Sequence, residues 1–158
     1  MNILLYLVFS RESMAYKGFF KPKNYKKYRG DPSNIIYRSR WELKLMSYLD
    51  SHPDVIEWSS EEFFIPYRSP IDNKIHRYFP DFYVKRKNKA GKTETLIIEV
   101  KPLKQTRPPE TEKRTKRYIQ EVMTWGINSS KWKCAEEFCK DRGWKFQIIT
   151  EKELNITF

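Results

Sequence analysis

The pattern of apolar and polar residues predicts helices and strands that alternate along most of the chain. Apolar residues at helical spacing predict a helix over residues 38–51, which the dipeptide His52-Pro53 ends. Extended apolar stretches predict strands over residues 55–58, 63–67, 75–85 and 94–100. Turn residues at positions 88–91 separate the last two strands, so these two are predicted to form an antiparallel β-hairpin.

The C-terminal part of the chain is predicted to contain two further helices and a last strand. The first of these helices is placed at residues 111–124, after a proline-rich lead-in, and Ser129 or Ser130 caps the second. The apolar face of that second helix consists of Trp132, Ala135, Phe138 and Cys139. Gly143 ends it, and residues 144–148 alternate as a final strand. The predicted fold class is α+β (or α/β), with one mixed central sheet flanked by helices.

The length of 158 residues predicts about one folded domain. Residues 1–13 are interpreted as an extension ahead of a second start at Met14, with a structural strand as the alternative. Residues 14–34 are interpreted as a basic aromatic arm, and residues 35–158 as the folded domain. The apolar run at residues 3–9 is too short to span a bilayer and lacks the flanks of a signal peptide, so no membrane partner is expected.

The chain is strongly basic, with 31 Lys and Arg against 20 Asp and Glu and a net charge of +11. A surplus of this size points to a polyanionic partner, most often nucleic acid. Candidate phosphate contacts lie in the arm and directly after the hairpin: Lys21, Lys23, Lys26, Lys27, Arg29, Lys104, Arg107, Arg114, Lys116 and Arg117. The alternative for both segments is a packed surface with solvated cations.

The hairpin carries two acids in apolar surroundings. Glu99 interrupts the apolar strand, with Lys101 on the same face, and Asp81 follows Pro80 at the other strand. Hairpin pairing brings Asp81 and Glu99 together, and two close carboxylates favour a cation such as Mg²⁺ between them. A neighbouring lysine can offset charge on an attacking water and on a scissile phosphate. The alternative is a structural ion pair of these acids with Arg38, Arg77 or Lys101.

The arrangement Pro80-Asp81 … Glu99-Val100-Lys101 resembles the PD-(D/E)xK nuclease superfamily, which has a restriction-endonuclease-like fold. Three longer segments are similar to the TnsA-type transposon endonuclease N-terminal domain over most of residues 35–152. They are Tyr37-Arg38-Ser39-Arg40-Trp41-Glu42-Leu43, Tyr78-Phe79-Pro80-Asp81-Phe82, and Lys131-Trp132 through Cys139 to Gly143-Trp144-Lys145-Phe146. From Met14 on, the chain also resembles the head completion proteins of T-even-like phages, notably in Tyr16-Lys17-Gly18-Phe19-Phe20-Lys21-Pro22-Lys23-Asn24.

The TnsA-type resemblance implies a third acid on the first helix, at the position of Glu42. Glu42 shares a helix face with Leu45, Met46 and Leu49, which fits a ligand that faces the sheet. The alternative is local, because Ser39 and Glu42 have the spacing of a capping box.

The resemblance implies a Mg²⁺-dependent DNA endonuclease that acts in phage head completion after packaging, with Mn²⁺ as a substitute metal. It assigns Asp81, Glu99 and Glu42 to the metal and Lys101 to the nucleophilic water, and it implies a 3′ oxygen as the leaving group. The expected partners are DNA and phage head or portal proteins, in the host cell cytoplasm and in association with the virion. The alternative is a non-catalytic head-completion protein that binds DNA or the portal region.

Overall fold

The computed structural model describes residues 16–110 and 113–157. The predicted extension at residues 1–13 and the first two residues of the arm lie outside this range. The chain divides into two compact units. The first comprises the described part of Met1–Ser60 together with Val84–Glu94, and the second comprises the described part of Glu61–Tyr83 and Thr95–Phe158. The domain boundary expected at residue 35 stays a prediction.

The first unit begins with the arm and the first helix. Its elements are strand β1 (Gly18–Phe20), a 3-10 turn (Tyr25–Lys27), strand β2 (Ile35–Tyr37), helix α1 (Arg40–Ser51) and strand β3 (Val55–Ser60). Strands β1 and β2 pair antiparallel, and α1 packs against β2 and β3. The predicted helix over residues 38–51 is confirmed, with its start at Arg40.

The predicted arm is folded onto the rest of the first unit. The buried carboxylate of Asp50 accepts hydrogen bonds from the backbone N–H groups of Lys23, at 2.8 Å, and Asn24, at 3.2 Å. Tyr28 is buried, and its ring lies edge-on to that of Trp58 with 4.8 Å between the ring centroids. The arm is therefore packed along part of its length, and its exposed lysines extend from a fixed backbone.

The remaining elements are strands β4 (Ile65–Arg68), β5 (Ile75–Tyr78), β6 (Phe82–Lys87), β7 (Thr93–Val100) and β8 (Lys145–Ile149), a 3-10 turn (Leu103–Thr106), and helices α2 (Lys116–Arg142) and α3 (Glu151–Thr157). Strands β4 and β5 pair antiparallel, and the four-stranded sheet has the order β3-β6-β7-β8. Residues 88–92 join β6 to β7 as the predicted hairpin, while β8 lies parallel to β7. The predicted mixed sheet of an α+β fold is confirmed.

Three predicted elements, one strand and two helices, are wrong in their extent. The strand predicted over residues 75–85 is two strands in two different sheets, β5 and β6, because Phe79, Pro80 and Asp81 interrupt it and proline has no N–H for a ladder. The helices predicted at residues 111–124 and after Ser129 are the single helix α2. The hydroxyl of Ser129 donates to the Trp125 carbonyl at 2.6 Å inside that helix, so it caps nothing.

The end of α2 and the connection to β8 follow the prediction. Gly143 lies in the left-handed region, with φ of 67°, and its N–H reaches the carbonyls of the last turn. Glycine adopts this conformation at little cost, which explains the stop at this residue. Helix α3 was not predicted. None of the helices in the described part of the chain is both long enough and apolar enough to cross a membrane.

Candidate active site

Asp81 and Glu99 lie at the same end of the β6–β7 hairpin, in the second unit. The Asp81 carboxylate accepts a hydrogen bond from the backbone N–H of Val100, with 2.7 Å between Oδ2 and the nitrogen. Val100 directly follows Glu99, so this bond ties the first acid to the strand that carries the second. The hairpin therefore brings the two acids to adjoining positions.

Glu99 is buried, with 5% of its surface exposed, and two side chains offset the cost of burying its charge. The hydroxyl of Tyr78 donates to Oε2 at 2.6 Å, and the Lys101 ammonium lies 3.0 Å from Oε1. Each carboxylate oxygen thus has a donor. An acid in an apolar strand is accommodated here by a tyrosine and a lysine at its two oxygens.

Tyr78 is a site residue to which the sequence assigned no role. Its side chain is buried, and burial, followed by the negative charge of Glu99, raises the pKa of the Tyr78 hydroxyl far above its ordinary value. The hydroxyl therefore stays protonated and serves as a donor to Glu99. Tyr78 belongs to β5, in another sheet, and this contact has no periodic pattern by which the sequence could reveal it.

Lys131, on α2, is the second group to which the sequence assigned no role. Its ammonium lies 5.6 Å from the ring centroids of both Tyr67 and Tyr78. Burial lowers the pKa of Lys131, the charges of Glu99 and Asp81 act to raise it, and the charge of Lys101 acts to lower it further. Lys131 therefore belongs electrostatically to the same site, although 30 residues of sequence separate it from Lys101.

The three basic partners considered for the acids have different neighbours in the structure. Lys101 pairs with Glu99, as described. The Arg77 guanidinium lies over the ring of Phe64, 4.9 Å from its centroid. The backbone N–H of Arg38 donates to Glu42 at 2.9 Å.

Glu42 completes a capping box at the start of α1. Its N–H donates to the hydroxyl of Ser39 at 3.1 Å, and its carboxylate accepts the N–H of Arg38. This is the local alternative named for Glu42, and it satisfies backbone donors at the helix start. Glu42 belongs to the first unit, while Asp81, Glu99 and Lys101 belong to the second. Its role as a third acid stays a prediction.

The donor set at the hairpin end suits a hard divalent cation. Asp81 and Glu99 provide carboxylate oxygens, which are the ligands that Mg²⁺ and Mn²⁺ prefer. Within residues 16–110 and 113–157, no group of three His, Cys, Asp or Glu side chains is arranged to hold a metal ion. Two carboxylates with water and a phosphate oxygen nevertheless form a common set of ligands for Mg²⁺, so the residues fit the metal.

The candidate DNA contacts divide by what they touch. In the arm, the Lys27 ammonium donates to the carbonyl of His52 at 2.8 Å, and Arg29 pairs with Glu57 at 3.4 Å. Lys21, Lys23 and Lys26 are exposed. Of the five candidate contacts in the arm, three are therefore exposed lysines and two are cations that already contact protein groups.

Three of the five candidate cations after the hairpin line a groove of about 700 Å³ in the second unit. Lys104, Arg107 and Arg117 line it together with the indole of Trp125. Arg117 also pairs with Glu121 at 3.0 Å, and Arg114 and Lys116 are exposed without lining the groove. Glu110 and Glu121 also line the groove, so it combines three cations with two acids and an aromatic wall.

Two comparisons with known proteins agree on the family to which this chain belongs. Residues 52–151 match the family described as TnsA-like endonuclease N terminal. The chain is 43% identical over 146 residues to the Head completion nuclease of Enterobacteria phage T4, and the match covers 89% of this chain and 95% of that protein. Endonuclease domains of this kind generally need a divalent metal. The chain therefore belongs to the TnsA-like endonuclease family.

Proposed function

We propose that this protein is a Mg²⁺-dependent DNA endonuclease that acts in phage head completion after DNA packaging. The observation that carries the proposal is the adjoining placement of Asp81 and Glu99 at one hairpin end, with Lys101 3.0 Å from Glu99. Membership of an endonuclease family and the name of the T4 relative support the activity and the setting. Phage head or portal proteins are the proposed partners, in the host cell cytoplasm and on the virion.

Each residue of the site has a defined task in this proposal. Asp81 and Glu99 hold the metal, with Mn²⁺ able to replace Mg²⁺, and Glu42 assists directly or through a water. The bound metal supplies Lewis acidity to the phosphate and lowers the pKa of a water. Lys101 orients that water and offsets negative charge on the phosphate with its ammonium. Tyr78 holds the Glu99 carboxylate in place through its hydroxyl.

The reaction is hydrolysis of a DNA phosphodiester. A water oxygen forms a bond to phosphorus while the bond from phosphorus to the 3′ oxygen breaks. The 3′ oxygen takes up a proton and leaves as a hydroxyl, and the other product carries a 5′ phosphate. Atoms balance with water as the only co-substrate.

The groove and the arm supply the proposed DNA contacts. Lys104, Arg107 and Arg117 line the groove. Strand β7, which carries Glu99, ends at Val100, and the 3-10 turn that carries Lys104 begins three residues later, at Leu103. Cations this close along the chain to the acids can lead the DNA backbone toward the hairpin end. Arg114 and Lys116 add positive charge in the second unit, and the exposed arm lysines add positive charge in the first.

A second function is favoured by one specific observation, the ion pair between Lys101 and Glu99. Together with the Tyr78 bond, it leaves each oxygen of Glu99 with a protein donor. In a head-completion protein that binds DNA without cutting it, these contacts would stabilise the fold and would not need to bind a metal. The two functions differ in metal-dependent cleavage and not in DNA binding.

The test uses the full chain and the isosteric variants Asp81→Asn and Glu99→Gln, with supercoiled plasmid as substrate. The wild type is expected to nick the plasmid in the presence of Mg²⁺ or Mn²⁺. Cleavage should stop when EDTA removes the metal. Both variants should lose cleavage by roughly 100-fold or more, because they remove a charge that holds the metal. Their DNA affinity without divalent metal should be retained.

Asp72→Asn is the matched control, because it removes an exposed carboxylate that pairs with His76 in the same unit. It should cleave at the wild-type rate. A wild type that binds plasmid but never cuts it with either metal refutes the endonuclease and leaves the structural protein as the better function. Cleavage by Asp81→Asn at the wild-type rate refutes the assignment of the site.

A further inference from the structure

Lys131 is a half-buried cation beside the acids with an unusual set of neighbours. Its ammonium lies 5.6 Å from the ring centroids of Tyr67 and Tyr78. Tyr78 is the residue whose hydroxyl donates to Glu99. One tyrosine side chain therefore links the lysine on α2 to the buried acid on β7.

The Lys131 ammonium has no hydrogen bond or ion pair to any residue of the described ranges 16–110 and 113–157. Aromatic faces attract a cation and orient it, but they accept none of its three N–H bonds in the way an oxygen does. A half-buried ammonium in that condition retains donors for an acceptor that comes from outside the chain. Burial lowers its pKa, which agrees with an ammonium that lacks full compensation.

The chemistry of the surroundings indicates which acceptor this is. A free carboxylate or phosphate satisfies an ammonium well, and the acids of the site are already bonded by Tyr78, Lys101 and Val100. In a nuclease the anion that enters the site is the phosphate of the DNA backbone, whose oxygens accept charge-assisted hydrogen bonds from lysine.

We propose that Lys131 binds a phosphate oxygen of the DNA strand at this site, with its ammonium held by the rings of Tyr67 and Tyr78. The assignment rests on the proposed function, because that function makes DNA the ligand. Lys131 then provides a cation from α2, and Lys101 provides a second from the hairpin. The site contacts the substrate from two different elements of the second unit.

The test compares Lys131→Met with Lys133→Met. The first variant keeps an apolar stem between the rings and removes the charge, and the second removes an exposed lysine from the same helix. Affinity for a fluorescent duplex is measured without divalent metal over a range of salt concentrations. Loss of one phosphate contact should lower the slope of log affinity against log salt by about 1 in Lys131→Met. The slope of Lys133→Met should equal that of the wild type.

Cleavage gives the second readout. Lys131→Met should cut about tenfold more slowly than the wild type under saturating metal, while Lys131→Arg, which keeps the charge, should retain more of the rate than Lys131→Met. An unchanged salt slope and an unchanged rate in Lys131→Met overturn the proposal and leave the lysine a packing role over the rings. A melting temperature far below that of the wild type in both Lys131→Met and Lys131→Gln also overturns the proposal, because it shows that the lysine stabilises the fold.

Failure of this inference can be told apart from failure of the proposed function. A wild type that cleaves normally while Lys131→Met keeps its slope and rate defeats only the role of Lys131. A wild type that binds DNA without cutting it defeats the endonuclease, and the salt slopes still test the phosphate contact.

Discussion

Removal of one hydroxyl, in Tyr78→Phe, tests whether the buried acid depends on its tyrosine donor. The substitution leaves the ring in the core cluster that Tyr78 forms with Ile65, Tyr67 and Trp132, so packing changes little. It deletes the 2.6 Å bond to Oε2 of Glu99. The Lys101 ammonium at the other oxygen remains.

The expected cost follows from the burial of Glu99, of which 5% is exposed. A hydrogen bond to a charged group contributes about 1.5–3 kcal/mol, and little water reaches this oxygen to replace the lost donor. We expect the free energy of unfolding to fall by about 2 kcal/mol. In a chain of this size that lowers the melting temperature by roughly 4–8 °C.

Urea denaturation of full-length variants measures this cost, with Tyr67→Phe as the control. Tyr67 is buried in the same cluster, and its hydroxyl makes no hydrogen bond within the described part of the chain, so its removal should cost less than about 0.5 kcal/mol. In a Glu99→Ala background the cost of Tyr78→Phe should nearly vanish. Equal costs for the two tyrosines, or a full cost without Glu99, refute the reasoning.

Two further predictions concern other buried polar groups. Asp50→Ala should lower the free energy of unfolding by about 2 kcal/mol, because it leaves two backbone N–H groups of the arm without their acceptor; the exposed Asp54→Ala should not. Burial raises the pKa of the Cys139 thiol to about 11, from an ordinary 9.0, so the folded state keeps this proton longer than the unfolded state. The contribution of this thiol to the free energy of unfolding is therefore fully present below pH 9 and is lost as the pH rises through about 11. Cys139→Ala should show a shallower decline in urea titrations over that pH range, and an identical decline contradicts the assignment.

The features that the sequence predicted well are those with local causes. Helix α1 ends at Ser51 because Pro53 follows closely, and Ser39 with Glu42 forms its capping box within four residues. The hairpin also depends on a short connection. Its geometry alone brings Asp81 to the strand that holds Glu99.

The errors in helix α2 have a tertiary cause. Gly126, Asn128 and the two serines after it are weak helix formers, and they favoured a break in the helix at this point. Trp125 and Ile127 pack against the core cluster on the N-terminal side of the expected break, and Trp132 packs on the other side. A continuous helix packs all three against this cluster, and the apolar surface removed from water outweighs the local preference.

The roles of Tyr78 and Lys131 arise from contacts between elements, which no local pattern encodes. Tyr78 approaches Glu99 from a different sheet, and Lys131 approaches Tyr78 from a helix. Alternation along β7 indicates that Glu99 and Lys101 share a face of the strand. It does not reveal which residues of other elements pack against that face. The partners of a buried acid become visible only when the packing of the second unit is known.

The contacts of the acids also determine which variants separate chemistry from folding. Asp81→Ala leaves the Val100 N–H without its acceptor, so it loses stability together with any metal. Asp81→Asn keeps an oxygen at that N–H and removes only the charge. Glu99→Gln likewise keeps an acceptor for Tyr78. Each acid accepts a hydrogen bond that stabilises the fold and also provides negative charge for a cation. Only an isosteric substitution keeps the hydrogen bond while it removes the charge, so only such a variant shows that a loss of cleavage comes from lost metal binding and not from a destabilised fold.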